Sequence, residues 1–542
     1  MSRVSSTPSS DSERLILSAT SARRGGIGLL LVGLLSIGCW LALYQWYGLF
    51  ENRDNTHFAF EKIPGQFNSP IIRRTLLLFL AVSVLYAVGY LLIRRAAQIS
   101  PFVKMGVLVA ILGPGVLNIL LYPVGALDVF NYMIEIKLAY HYDINPYLET
   151  FVGFRTDSYA LPAFLVDSYL FYGPVWLLVS WLPGAVVGYS DVINSLIAMK
   201  LLNAGLLILT ALVIVRDMGG DARRRWLAAY VLLANPLVLF EGLANAHNDV
   251  MMTCFLVSAL VALKARSATA GALLAASAMV KFFSGVLAPL FIVIVWKQRW
   301  GTRRIGVAVV LTAITIGLAC APFWAGGKMV DGLRDGTASS QEMNHVSIYS
   351  LAQQVERDRE VDRLIERSPM MESNRVAFAA QQLSPPEKAR MQRIFGGLFA
   401  VAAILLLIGV KRGRPLEAAA IDLIMLFSLL LTNLYAWYLI PVFAVLAIRR
   451  TALGTAYLFL ATALGLAYYP AYVWSHFNSG WAEKLDVHLF LSLFLTVPMV
   501  LYLFAEVGDW AYRLIAHRAD VRQQVDTSES ASVARRTQVP SS

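Results

Sequence analysis

The chain has 542 residues, of which 57% are hydrophobic and only 15% charged, with a formal net charge of +11. Soluble proteins are about 45–50% apolar and about 25% charged. The composition therefore excludes an ordinary soluble domain and predicts an all-α polytopic membrane protein. The excess of positive charge is better explained by sidedness in a bilayer than by nucleic acid, and no nucleic-acid partner is expected. Cys39, Cys254 and Cys320 all fall inside apolar runs, so neither a disulfide nor a metal framework is implied.

Residues 1–24 are Ser-rich and polar and show no cleavage site of the secretory kind; a disordered cytoplasmic tail is expected there. A helix needs about 20 apolar residues to cross about 30 Å of hydrocarbon. Apolar runs occur at 27–49, 75–93, 105–122, 193–215, 226–244, 249–263, 269–283, 284–296, 305–323, 394–410, 416–432, 435–448, 452–474 and 487–507. They predict about 14 transmembrane helices, some between 249 and 296 short enough to be broken or half-helices. Residues 394–510 hold the C-terminal transmembrane helices, and 511–542 read as a second disordered cytoplasmic tail.

With the N-terminus in the cytoplasm, six basic clusters fall on the cytoplasmic side. They are Arg23–Arg24, Arg94–Arg95, Arg216 with Arg223–Arg225, Lys297–Arg304, Lys411–Arg414 and Arg449–Arg450; only Arg73–Arg74 disagrees. The connections 50–74, 123–192, 324–393 and 475–486 are then external. Six histidines, His57, His141, His247, His345, His476 and His488, fall at or beyond the outer interface. Either polar residues simply collect in the larger loops, or the outer face carries chemistry.

The loop 123–192 holds seven acids against Lys137 and Arg155, and is rich in aromatics. Its end, "YLFYGPVWLLVSWLPGAVVGY", is apolar but broken by Pro174, Pro183 and glycines. It reads as a helix lying in the outer interface, with Trp176, Trp181 and Tyr189 as belt aromatics. Asp128 sits about one turn beyond the third span. A carboxylate partly desolvated at that depth is suited to take a proton from a hydroxyl; a helix cap or a solvated loop acid is the plainer reading.

Three further stretches stand out. "HND", His247–Asn248–Asp249, fills a tight connection between two apolar runs. Such a loop can use Asn and Asp merely to turn, but interfacial ionisable groups usually serve a site. Lys281 in "ASAMVKFFSGVLAPL" needs an anionic partner: an arriving phosphate would serve, as would Asp249, or the lysine could snorkel. "LTNLYAWYLIP" carries Asn433, Tyr435, Trp437 and Tyr438, either an aromatic belt or a platform for sugar stacking. In the loop 324–393, "VERDREVDRLIER" has opposite charges three and four apart and predicts a solvated helix. The preceding "MNHVSIYS", with His345, is either a turn or a cover over a cavity.

Taken in order, "DVFNY" (Asp128–Tyr132), "NPY" (Asn145–Tyr147), "YGPVWLL" (Tyr172–Leu178), "HND" and "VKF" (Val280–Phe282) resemble the GT-C glycosyltransferases. The chain is most similar to the polyprenyl-phosphate-mannose-dependent α-(1→6)-mannopyranosyltransferases over about residues 105–300, with a further "WY" at Trp437–Tyr438. Two extra spans precede the acidic loop, and "HYDINPY" lacks the glycine the family has before "NPY".

The resemblance implies a GT-C-like catalytic module over 25–323 with external loop helices. It implies a polyprenyl-phosphate sugar donor, a lipid-linked or lipid-anchored glycan acceptor, and a cell-membrane site on the external or periplasmic side. Asp128 would be the general base. Donor phosphate or acceptor would meet His247, Asn248, Asp249, Lys281, Tyr132, Asn145, Tyr147, Tyr172, His345, Trp437 and Tyr438. Whether a divalent cation joins Asp128, His247 and Asp249 is left open, since no ligand set has compelling spacing. The competing reading is a multi-span transporter or flippase, against which stands the absence of a second copy of the 123–192 pattern.

Overall fold

The computed structural model describes residues 10–53, 69–340, 346–367, 385–430, 434–477 and 484–536. Among these the architecture is all-helical. The N-terminal half runs α1 (Ser10–Tyr47), α2 (Ser69–Arg95), α3 (Pro101–Ile119), α4 (Asp128–Tyr140), α5 (Pro174–Val187), α6 (Val192–Asp217), α7 (Ala222–Leu233), α8 (Pro236–Leu239), α9 (Asp249–Lys264) and α10 (Ala270–Ala278). Then follow α11 (Ala288–Lys297), α12 (Thr302–Cys320), α13 (Lys328–Ser340), α14 (Ile348–Arg367), α15 (Pro385–Lys411), α16 (Leu416–Leu430), α17 (Leu439–Ile448), α18 (Ala452–Phe477) and α19 (Lys484–Arg536).

Eight of these helices are long and apolar enough to cross a membrane. The pair Ala222–Leu233 and Pro236–Ala244, bent by 48°, makes a ninth if it crosses as one broken span. The bend has a local cause. Pro236 lacks an N–H and pushes Asn235 out of the helical region, to φ −66° and ψ 118°. Asn235 then caps the new helix, its Oδ1 accepting from the N–H groups of Leu237 (2.9 Å) and Val238 (3.1 Å).

Among the described residues the count of about 14 is therefore not confirmed. The other five apolar runs form helices too short to cross. Their burial explains the discrepancy: every residue from Leu439 to Ala447 is buried, as is most of α9 and α16. α9, α16 and α17 are apolar because they fill the protein interior, whereas α11 also exposes Ile292 and Trp296. By contrast α12 and α15 expose rows of apolar side chains, among them Val309, Val310, Leu318, Val401 and Leu405, the pattern of lipid-facing helices.

Four of the six basic clusters expected to share one side lie near one another. Arg450 donates to the carbonyl of Arg224 at 3.1 Å, and Lys297 to that of Val410 at 2.9 Å. Lys264 bridges Asp217 (2.7 Å) and Glu417 (3.1 Å). The tails differ from expectation: α1 already begins at Ser10 and α19 continues to Arg536, so both polar ends extend membrane helices rather than leaving them at once. The solvated helix expected from "VERDREVDRLIER" is α14.

The segment 123–192 is a packed layer rather than an open loop. All residues from Val129 to Leu138 of α4 are buried. Its far end is tied down by Lys137, paired with Asp157 at 2.7 Å, while Asn131 Oδ1 accepts from the backbone of Phe164 and Leu165. α5 spans 14 residues, too few to cross, and exposes Trp181, Leu182 and Val186 on one side, but Trp176, expected as a belt aromatic, is fully buried against Tyr132. Its first turn is clamped to the chain between α10 and α11: the Gly173 N–H donates to Val280 O (3.1 Å) and the Val175 N–H to Met279 O (2.9 Å).

That clamp needs a glycine, because a Cβ at 173 would lie 2.1 Å from Met279 O. Gly173→Ala must push α5 off this backbone, at a cost of at least about 1–3 kcal/mol. A lower thermal midpoint of the detergent-solubilised protein is expected; an unchanged midpoint would refute the close approach.

Candidate functional site

The first residue of α4 is Asp128, reached through the short connection from α3. It lies deep in the protein, yet its side chain keeps partial accessibility, so it borders a space instead of being packed over. Burial pushes its carboxyl up to about 6; Lys281 pulls it back down, and Asp249 adds to the rise. Asp128 is thus within electrostatic reach of both. Glu135, two turns along the same helix, is buried with Oε2 unpartnered, and burial followed by the Asp128 charge holds it well above the usual carboxylate range.

Lys281 stands where the helical path breaks after α10, its backbone extended at φ −147° and ψ 119°. Its ammonium is 2.8 Å from Asp249 Oδ2, 4.7 Å above the Tyr438 ring and 6.0 Å from the Tyr172 ring. Of the two partners the sequence allowed, Asp249 is the one in place. Asp249 itself is fully buried, with Oδ1 unpartnered.

His247 and Asn248 are also fully buried. The imidazole stacks on Trp437 (3.9 Å between centroids, 22°), which stacks on Tyr435 (4.1 Å, 9°). His247 Nε2 is 3.4 Å from Glu241 Oε2. Both amide atoms of Asn248 are buried without a hydrogen-bond partner. Tyr132 and Tyr172 form another wall, their hydroxyls 3.3 Å apart, with Trp176 edge-on to Tyr132.

Nine of the residues singled out in the sequence therefore gather: Asp128, Tyr132, Tyr172, His247, Asn248, Asp249, Lys281, Trp437 and Tyr438. Two are turned to other partners. Tyr147 is fully buried and its hydroxyl donates to Tyr172 O at 2.9 Å; Asn145 donates to Phe323 O at 3.0 Å and accepts from the Tyr147 N–H. Their polar groups are spent on holding Tyr172 and the turn after α12. His345 lies outside the described residues.

Sequence reasoning passed over Glu241, Asn245 and Tyr469, which back the site. An acid inside the run 226–244 was the available signal. Among the described residues no group of three His, Cys, Asp or Glu side chains converges to hold a metal ion. Asp249 already faces an ammonium, so Asp128, His247 and Asp249 do not fit as a shared cation site, and no step below is routed through a metal.

Beside Lys281, Met279 and Phe282 enter the wall of an open groove of about 720 Å³. The wall is mostly apolar, with Ile316, Trp324 and Val330, and bears Arg334 and Gln392.

The fold and this site define a helical membrane protein with a buried cluster of acids, a lysine and aromatic rings beside an apolar groove. Residues 52–298 match the family model described as alpha-(1->6)-mannopyranosyltransferase, N-terminal domain. Over that stretch the chain is similar to a mannosyltransferase family domain, and its long apolar helices are those of a membrane protein. All the gathered site residues except Trp437 and Tyr438 lie within the matched region. Comparison with curated proteins and with solved structures gave no match.

The environment of Asp128 has a direct readout. Its proton is bound below about pH 6 and lost above it, whereas an ordinary Asp releases its proton near 3.9. Infrared difference spectra should contain a protonated-carboxyl band that titrates near pH 6 and vanishes in Asp128→Asn. A band already lost by pH 4 would contradict the burial described here.

Proposed function

We propose that the protein moves mannose from a polyprenyl-phosphate donor to a hydroxyl of a lipid-linked or lipid-anchored glycan, at the external face of the cell membrane, in cell-envelope synthesis. The observation that carries this is Asp128: a deep but accessible carboxyl beside Lys281, inside the region matched to mannosyltransferases. A base poised near neutral pH is half of what a hydroxyl nucleophile needs. The other half is a counter-charge for the phosphate that leaves.

In this reading the acceptor oxygen attacks the anomeric carbon while Asp128 takes its proton. The new C–O bond forms as the bond to the phosphate oxygen breaks, and the polyprenyl phosphate departs as an anion toward Lys281. In-line displacement inverts the anomeric centre. The donor tail would lie in the apolar groove, whose wall begins one and two residues from Lys281. Tyr435 and Tyr172 would give the sugar flat faces to pack on, with Trp437, stacked between Tyr435 and His247, behind them. The meeting of four of the basic clusters at one end of the bundle supports a site opposite them, hence external by the excess of Lys and Arg on cytoplasmic loops. The transporter reading has no comparable support.

A placed base is worth about 10²–10⁴-fold in rate. Asp128→Asn should lose turnover of labelled polyprenyl-phosphate mannose by that factor, with donor binding and membrane accumulation kept; wild-type turnover would end the assignment. The wild-type rate should fall about tenfold per pH unit below the Asp128 titration near 6.

Lys281→Met should raise the donor KM. It should also destabilise the protein by about 3–5 kcal/mol, because it leaves Asp249 buried and unpaired. A variant with unchanged KM would remove Lys281 from the donor site.

A further inference from the structure

Between α8 and His247 the helix widens into a π turn over Phe240–Ala244, closed by the Asn245 N–H donating to Phe240 O at 2.9 Å. Such turns recur at functional sites because they re-aim side chains. Here the widened turn points Glu241 inward, where it is fully buried. The Tyr469 hydroxyl donates to its Oε1, Asn245 Nδ2 donates to its Oε2 at 2.9 Å, and His247 Nε2 lies 3.4 Å from that same oxygen.

Asn245 passes the contact on: its Oδ1 accepts from the Gly125 N–H at 3.0 Å. The polarity of the chain is forced. A backbone N–H can only donate, so Asn245 must turn its oxygen to Gly125 and its NH2 to position 241, where only an acceptor will serve. Gly125 stands three residues before Asp128, and a Cβ there would lie 2.4 Å from Asn245 Nδ2 and 2.8 Å from the Phe240 ring. On the other branch Ala246 is held at φ +56°, and the His247 N–H donates to Glu241 O at 3.0 Å. A non-glycine residue in that region is strained and persists only where its surroundings impose it.

We propose that Glu241, acting through Asn245 and backed by Tyr469, is a positioning residue: it fixes the connection that carries Asp128 and the turn that carries His247 relative to each other. This rests on the reading of Asp128 as the base. It touches neither donor nor acceptor, so it acts on the rate of the step and not on donor affinity.

The test uses the full chain in membranes, labelled polyprenyl-phosphate mannose as donor and the membranes' own glycolipids as acceptor. Asn245→Ala should lower turnover at saturating donor by about tenfold or more, with donor KM within about twofold of wild type. Tyr469→Phe removes one oxygen one step further away and should cost about threefold in the same way; it decides the matter if Asn245→Ala does not accumulate.

Coupling separates positioning from mere support. In the Asp128→Asn background, Asn245→Ala should cost less than about twofold, because the group it places is gone. An equal loss in both backgrounds, or a loss carried by KM, overturns the proposal. An Asp128→Asn variant with full turnover overturns the base assignment instead.

Discussion

The site depends on one buried ion pair, Lys281 with Asp249 at 2.8 Å. Taking either charge out of water alone costs several kcal/mol, so neither residue is tenable there without the other. The pair exists because the chain breaks its helix after α10. The break turns Lys281 into the interior, and it also frees the carbonyls of Met279 and Val280 to receive the N–H groups of Val175 and Gly173. One irregular stretch thus brings α5 with Tyr172, α9 with Asp249, and the mouth of the apolar groove to the same place. Irregular backbone at such depth is tolerated where protein satisfies it or where it lines a cavity, and both conditions hold here.

Around that pair the walls are aromatic and the remaining polar groups are left hungry. The stack Tyr435–Trp437–His247 is nearly flat over three rings. Behind it Asn248 buries an entire amide with no partner, and Asp249 keeps one bare oxygen. A buried unsatisfied polar group costs about 1–3 kcal/mol. In the proposed reaction the hydroxyls of a bound sugar would supply partners to the Asn248 amide and to the bare oxygen of Asp249.

Much of this was legible in the sequence, for reasons that also mark where legibility stopped. The long spans were visible because lipid-facing helices need unbroken apolar length, as α12 and α15 have. Five shorter runs looked the same, since hydropathy does not distinguish a helix surrounded by lipid from one surrounded by protein; α17 is the clear case. Asp128, His247–Asp249 and Lys281 stood out because charges are costly in such surroundings. The pairing of Lys281 with Asp249 could only be named as one of several readings, because residues 32 apart meet through the fold. Asn145 and Tyr147 were chosen for their motif, and their side chains turn out to be spent on the backbone carbonyls of Phe323 and Tyr172. Glu241 was visible as an acid in an apolar run, but its partners, Tyr469 and the Gly125 N–H by way of Asn245, come from distant segments that no spacing connects.

The electrostatics of the proposed reaction turn on how Lys281 divides itself. An ammonium has three N–H donors, and the Asp249 contact uses one. An arriving phosphodiester can therefore be bound without breaking the pair. Two unit charges 4 Å apart interact by about 4 kcal/mol at an effective dielectric constant of about 20. As the glycosidic bond to phosphate breaks, negative charge on the departing oxygen grows and draws more heavily on Lys281. Asp128 then loses part of the ammonium field that favours its ionised form, which makes it a stronger base as the acceptor proton begins to move. Bond breaking at the phosphate and proton removal at the acceptor would be coupled through one lysine. That coupling requires Asp128 to stand close to Lys281 without bonding to it, the separation that the Gly125–Asn245–Glu241 chain is placed to maintain.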